Sequence, residues 1–131
     1  MEDHKNDLIL ILAGYQKEME SFLLTNPGLR SRFPIHIDFP DYNQSELLQI
    51  AEQMCAMRQY TLSAEAHNSL LKMISKHKDN NRDENFGNAR TIRNIIEKAI
   101  RRQAVRLIAK SNTTRQDLIL IEPGDLTEVT A

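Results

Sequence analysis

Asn26-Pro27-Gly28-Leu29-Arg30-Ser31-Arg32-Phe33-Pro34 is the stretch on which the reading of this 131-residue chain turns. Pro27 and Gly28 end a preceding helix, because proline cannot donate the next helical hydrogen bond and glycine readily takes the left-handed conformation. Pro34 holds Phe33 extended and opens a strand. The sequence therefore predicts a stiff, exposed turn that carries Arg30 and Arg32, whose guanidinium forks suit carboxylate or phosphate oxygens. Pairing with acids of the same chain is the plainer role for both.

Upstream of that turn, Leu8-Ile9-Leu10-Ile11-Leu12-Ala13 is an unbroken apolar run ending at Gly14. Six such residues suit a strand covered on both faces, as in a parallel sheet, and are too few for a buried helix. Met19, Phe22 and Leu23 recur at helical spacing between Tyr15 and Thr25, with Glu18 and Glu20 outside. Downstream, Pro34 to Pro40 alternates, which places Ile35, Ile37 and Phe39 on one face of a brief strand. Residues 1–40 thus read strand, helix, arginine turn, strand. Two strands and one helix cannot cover both faces of so apolar a strand. The sheet is completed by residues outside this chain, or Leu8–Ala13 pairs with another molecule along its open edge.

Beyond Pro40 the periodicity becomes helical throughout. Asn43 and Glu46 resemble a capping box ahead of Leu47, Ile50, Ala51, Met54 and Cys55, a stripe running to about Arg58. Gln59–Leu62 reads as a turn. Ser63 caps a second helix on which Ala66, Leu70, Leu71 and Ile74 recur, ending near Lys78. A polar loop, 79–84, leads to Asn85-Phe86-Gly87-Asn88-Ala89-Arg90. The third helix, Asn88 to about Lys110, has the clearest stripe: Ile92, Ile95, Ile96, Ala99, Ile100, Ala104, Leu107 and Ile108. Residues 82–110 hold eight basic side chains against three acids. Its polar face is accordingly basic, either as ordinary solvated surface or as a contact for an acidic partner or neighbouring subunit. Leu118–Ile121 is a short β-like run, and Glu122-Pro123-Gly124-Asp125-Leu126 is a turn that folds back on the helices.

Composition narrows the function. A formal charge of -1 gives no global field for nucleic acid or acidic membrane. The single cysteine, Cys55, forms no internal disulfide and reads as core in a reducing, cytoplasmic setting. The longest apolar run is too short to span a bilayer. His4, His36, His67 and His77 are scattered over several elements and do not read as a metal site. No Gly-x-x-x-x-Gly-Lys-Ser/Thr loop is present to cradle phosphates, and no apolar strand ends in an Asp-Glu pair to hold magnesium. The chain carries no complete catalytic site.

Ile11-Leu12-Ala13-Gly14-Tyr15, the block Asn26 to Phe33, Asp38-Phe39-Pro40-Asp41-Tyr42, and Phe86-Gly87-Asn88-Ala89-Arg90 with Arg93-Asn94 occur in an order and spacing that resemble the C-terminal half of an AAA+ ATPase. Within that family the blocks resemble those of the group of stage V sporulation protein K and the red-type, CbbX-like rubisco activases. The resemblance implies a mainly α fold. Residues 1–40 would be the remnant strand-helix-strand of the large α/β subdomain. Residues 41–131 would be the helical lid, with three main helices and a short C-terminal β-like segment.

It also implies roles. Arg30 and Arg32 fall on the arginine-finger segment, which reaches into the nucleotide site of the next subunit, with Arg32 the first choice. Arg90 matches sensor 2, which contacts phosphates in cis, and the first turn of a helix independently favours anions. Tyr15 is the nearest candidate for the sensor-1 position. ATP and magnesium would be bound by the parent protein, and neither tightly by this chain alone. The partners implied are the missing N-terminal part of the module and neighbouring subunits of a ring, a hexamer by the resemblance. Self-association through strand 8–13 is the further option for the chain by itself. The parent would be an ATP-driven protein-remodelling machine with an unidentified client, and this chain alone would not hydrolyse ATP. A freestanding helical adaptor that uses the basic third helix on an acidic protein or nucleic acid is the alternative.

Overall fold

In a computed structural model that describes residues 7–79 and 88–127, the chain divides into two units, Met1–Pro40 and Asp41–Ala131. The helices of the first unit are α1, Gln16–Leu24, and α2, Pro27–Arg32. The second contains α3, Gln44–Met57; β1, Thr61–Leu62; α4, Ala64–Asp79; α5, Ala89–Ile108; α6, Arg115–Ile119; β2, Leu120–Ile121; and a 3-10 turn, Pro123–Leu126.

The first unit corrects the sequence reading in two places. Asn26 to Phe33 is not an open turn. Pro27 occupies the first turn of a helix, where its missing N–H costs nothing, and the Asn26 side chain caps it by accepting from the Gly28 N–H at 3.0 Å. Proline and glycine here start a short helix as well as ending the one before. Leu8–Ala13 and Ile35–Phe39, expected as strands, form neither strand nor helix, since β1–β2 is the sole strand pairing among the described residues. A strand exists only when a neighbour takes its N–H and C=O groups, and the described residues of this unit provide none.

The second unit is built around one core. Leu47, Ala51 and Cys55 of α3, Ala66, Leu70 and Ile74 of α4, and Ile92, Ile96 and Ala99 of α5 are buried together. Each is spaced three or four residues from the next on its own helix, so each helix presents one apolar stripe. Burial of each Leu or Ile here contributes about 1.5–3 kcal/mol. Capping fixes the helix starts as the sequence implied. Asn43 and Glu46 form a reciprocal capping box at 2.8 Å in both directions, and the Ser63 hydroxyl accepts from the Ala66 N–H at 3.0 Å.

α3 ends where the sequence reading put it, at about Arg58, but the form of its cap was not foreseen. Gln59 has φ 63° in the left-handed region, its N–H reaching Ala56 O and the Tyr60 N–H reaching Cys55 O. That is a Schellman-type cap made without glycine. It redirects Thr61–Leu62, read from sequence as a turn, into β1, which pairs in parallel with Leu120–Ile121.

The C-terminal segment is part of the core. Ile121 and Leu126 are buried with the three helices. Its first portion is the helix α6, where the sequence suggested strand from Leu118, and only Leu120–Ile121 is strand. The Thr114–Asp117 capping box explains the difference: it nucleates a helical turn that runs through Ile119.

Candidate functional site

Arg90 is the second residue of α5, a 20-residue helix. Asn88 forms its cap, the side-chain oxygen accepting from the Thr91 N–H at 3.1 Å and from the Thr91 hydroxyl at 3.4 Å. The cap fixes where the helix begins, and so places Arg90 in the first turn, exposed to solvent. No acid occupies that turn. A cation at a helix N-terminus meets the positive end of the backbone dipole. The arrangement is unfavourable for the free helix and is relieved when an anion joins it, since the guanidinium and the first N–H groups then point at the same charge. Arg93, one turn on, is also exposed. Phe86 and Gly87, which complete the motif in sequence, lie outside the described residues.

Arg30 and Arg32 occupy the last turn of α2, ended by the Phe33 N–H bonding to Leu29 O at 3.0 Å. Both are exposed, and at this end of a helix the dipole favours cations. Being two apart on a helix, they project from opposite sides, so they do not address one ligand together in this conformation. Tyr15 precedes α1, is 73% exposed and makes no side-chain capping bond. Tyr15, Arg30 and Arg32 belong to the first unit and Arg90 to the second.

The basic face of the third helix is smaller than its charge suggested. Arg106 is turned onto Asp125, with Nε 3.0 Å from Oδ1 and Nη2 3.0 Å from Oδ2, and Nη1 lies 3.4 Å from Glu122. Arg102 donates to the Asp125 carbonyl at 3.3 Å. Arg58, just past the end of α3, meets Glu97 at 3.2 Å, and Lys110 meets Asp117 at 2.8 Å. The exposed basic side chains on α5 are Arg90, Arg93, Lys98 and Arg101.

The apolar stripe also differs at its C-terminal end. Ala104 and Ile108 are exposed, while Gln103 is 2% exposed. The Gln103 amide donates to the carbonyls of Asp117, Leu118 and Leu120 at 3.2, 2.9 and 3.2 Å. Nothing local marked Gln103 as buried; only its place in phase with Ile92, Ile96 and Ala99 hinted at it. Burial pushes the Cys55 thiol up to about 11, helped by Glu52 and opposed by Arg58. Among the described residues no cluster of three or more His, Cys, Asp or Glu stands ready to hold a metal, and no helix is long and apolar enough to cross a membrane.

Residues 43–131 match the family described as the AAA lid domain. Over 96% of its length the chain is 48% identical to Stage V sporulation protein K of Bacillus subtilis (strain 168), covering 39% of that protein. It is 45% identical to the Protein CfxQ homolog of Galdieria sulphuraria, covering 96% of this chain and 41% of the relative. It is also 38% identical to the chloroplastic ribulose bisphosphate carboxylase/oxygenase activase of Cyanidioschyzon merolae, over 96% of this chain and 43% of that one. The chain thus spans about two fifths of the length of the curated relatives it matches.

Proposed function

The chain belongs to the AAA lid domain family, and from that premise we propose that it serves as the lid and arginine-bearing portion of an ATP-driven protein-remodelling ATPase. The observation that carries this reading is Arg90, an exposed guanidinium in the first turn of a long, capped helix with no acid in that turn. A triphosphate is the anion such a site fits, because it offers several oxygens to a fork donor and to backbone N–H groups together.

In this reading Arg90 contacts the nucleotide of its own subunit as sensor 2, and the α5 helix, anchored at its far end by Asp125, carries that contact into the lid core. Arg30 and Arg32 face a neighbouring subunit of a ring, with Arg32 as the finger that steadies charge on the transferring phosphate and Arg30 on the other side of α2. Tyr15 stands at the sensor-1 position. ATP would bring the phosphoryl group and magnesium would neutralise its charge, both held by parts of a longer protein outside this chain. Leu8–Ala13 and Ile35–Phe39 become strands once the rest of such a longer protein supplies their neighbours. The setting is cytoplasmic.

A freestanding adaptor using the basic third helix has less support, because Arg102 and Arg106 are committed to Asp125.

The test joins this chain to the N-terminal portion of one of its relatives and measures magnesium-dependent ATP hydrolysis. Arg32→Ala is expected to lower turnover by about 10³-fold or more, as for other arginine fingers. Its inactive subunits should also depress a mixed ring below simple dilution, the mark of action in trans. Arg90→Ala should lower turnover by about 10²-fold. The reading fails if the 131-residue chain alone hydrolyses ATP with magnesium and Arg90→Ala leaves that activity intact, or if neither variant alters the chimera.

A further inference from the structure

His36 reaches back to the end of α2. Its Nε2 lies 2.6 Å from the carbonyl oxygen of Phe33. A carbonyl only accepts, so Nε2 carries the ring proton and donates. Phe33 is the C-cap of α2, with Arg32 immediately before it, and its N–H bonds to the Leu29 carbonyl at 3.0 Å. The residue is therefore held from both sides: the helix takes its N–H and His36 takes its C=O.

That bond bears on Arg32. Carbonyls at a helix C-terminus have no partner within the helix, and a nearby histidine can supply one. The turn closed by His36 spans Pro34 and Ile35, and Pro34 has a fixed φ. Together they set the direction in which the chain leaves α2, and so the angle between that helix and Ile35–Phe39. The bond uses the imidazole and not the His36 main-chain N–H, which makes it compatible with Ile35–Phe39 becoming a strand. His36 and Asp38 alternate with Ile35, Ile37 and Phe39, so on such a strand His36 stands on the face opposite the apolar row.

We infer that His36 is a positioning residue, whose ring holds the exit of α2 and thereby aims Arg32 at the phosphate of the neighbouring subunit. The inference rests on the arginine-finger reading and adds to it a residue that itself touches no nucleotide. Loss of His36 should cost less than loss of the finger, because the guanidinium stays and only its mount loosens.

Two experiments test it. In the 131-residue chain, the carbonyl carbon-13 resonance of Phe33 reports the bond. His36→Phe, which keeps an aromatic ring without an N–H, should shift that resonance, and His36→Gln, with an amide N–H in place of Nε2–H, should return it toward the wild-type position. In the chimera used for the ATPase test, His36→Phe should lower turnover about 10-fold, since a misplacement of about 1 Å can cost about 10²-fold where alignment matters. His36→Gln should restore most of that loss. Mixing His36→Phe subunits with Arg90→Ala subunits should give more activity than either alone, because some sites then combine an intact Arg90 with a well-mounted Arg32 from the neighbour. A His36→Phe subunit that was merely unstable would not complement. An unmoved Phe33 resonance, a His36→Gln variant no better than His36→Phe, or failure to complement would each overturn the inference. Wild-type turnover in His36→Phe beside an impaired Arg32→Ala removes this inference alone, whereas full turnover in Arg32→Ala removes the finger reading and this inference with it.

Discussion

Arg106 and Asp125 form a two-pronged pair, Nε to Oδ1 and Nη2 to Oδ2 at 3.0 Å each, that fastens the C-terminal 3-10 turn to the last part of α5. Asp125 is 2% exposed and its Oδ2 also accepts from the Glu122 N–H at 2.9 Å. The hydrogen bonding of Arg106 to the Asp125 carboxylate, more than any other influence, raises the guanidinium above its ordinary value. Arg102 closes the arrangement by donating to the Asp125 carbonyl.

Asp125→Ala is therefore expected to destabilise the second unit by about 2–4 kcal/mol. It strands a partly buried guanidinium and an N–H, and the half-open Arg106 keeps the loss below that of a fully buried pair. Asp125→Asn retains an acceptor and should cost less. Urea unfolding followed by circular dichroism measures both.

Gln103 sits one turn before Arg106 and ties one stretch of backbone, Asp117 to Leu120, to α5 through three carbonyls. Gln103→Leu keeps the volume but removes the donor from part-buried carbonyls, of which only that of Leu120 keeps another partner, in Arg106, at a cost of about 1 kcal/mol. Gln103→Glu should be worse at neutral pH, because a carboxylate offers the carbonyls no donor, and should recover in part as acid restores an O–H. Midpoints of thermal unfolding at pH 7 and pH 5 distinguish the two.

Gln59 holds a left-handed backbone at the end of α3, a conformation that disfavours a side chain by about 1 kcal/mol. Gln59→Gly removes that strain while loosening the unfolded chain, so a net gain of up to about 1 kcal/mol is expected. Gln59→Val should instead destabilise. Chemical denaturation of the pair provides the comparison.

Two groups give opposite pH dependences. The hydrogen bond from Lys110, followed by those from the Thr114 N–H and hydroxyl, holds the Asp117 carboxyl well below the usual range. A depressed carboxyl contributes stability above its unfolded value of about 3.9 and loses it as pH falls through the lower folded value. Asp117→Asn should flatten the acid limb of the stability curve. Cys55 behaves in reverse: its thiol is raised to about 11, so its contribution is complete below about 8.5 and is lost as pH rises toward the folded value. Iodoacetamide at pH 8 should leave Cys55 unmodified in the native chain and alkylate it promptly in urea.

Charge reversal separates the arginines that hold the fold from those that face solvent. Arg101→Glu should leave stability within about 0.5 kcal/mol, whereas Arg106→Glu places an acid against Asp125 and should unfold the C-terminal segment. The same unfolding curves measure both.

Three helical stripes and the caps at Asn43, Ser63 and Asn88 were legible in the sequence, because each depends on neighbours within four positions. The start of α5 at Asn88 followed from local capping, and Arg90 with it. Tertiary structure alone decided where Arg102, Gln103 and Arg106 point, since their partners Asp117 to Asp125 lie 14 to 23 residues away. It also decided that Leu8–Ala13 has no ladder: strand character in the sequence states a readiness to pair, and pairing requires a second edge that local sequence cannot supply.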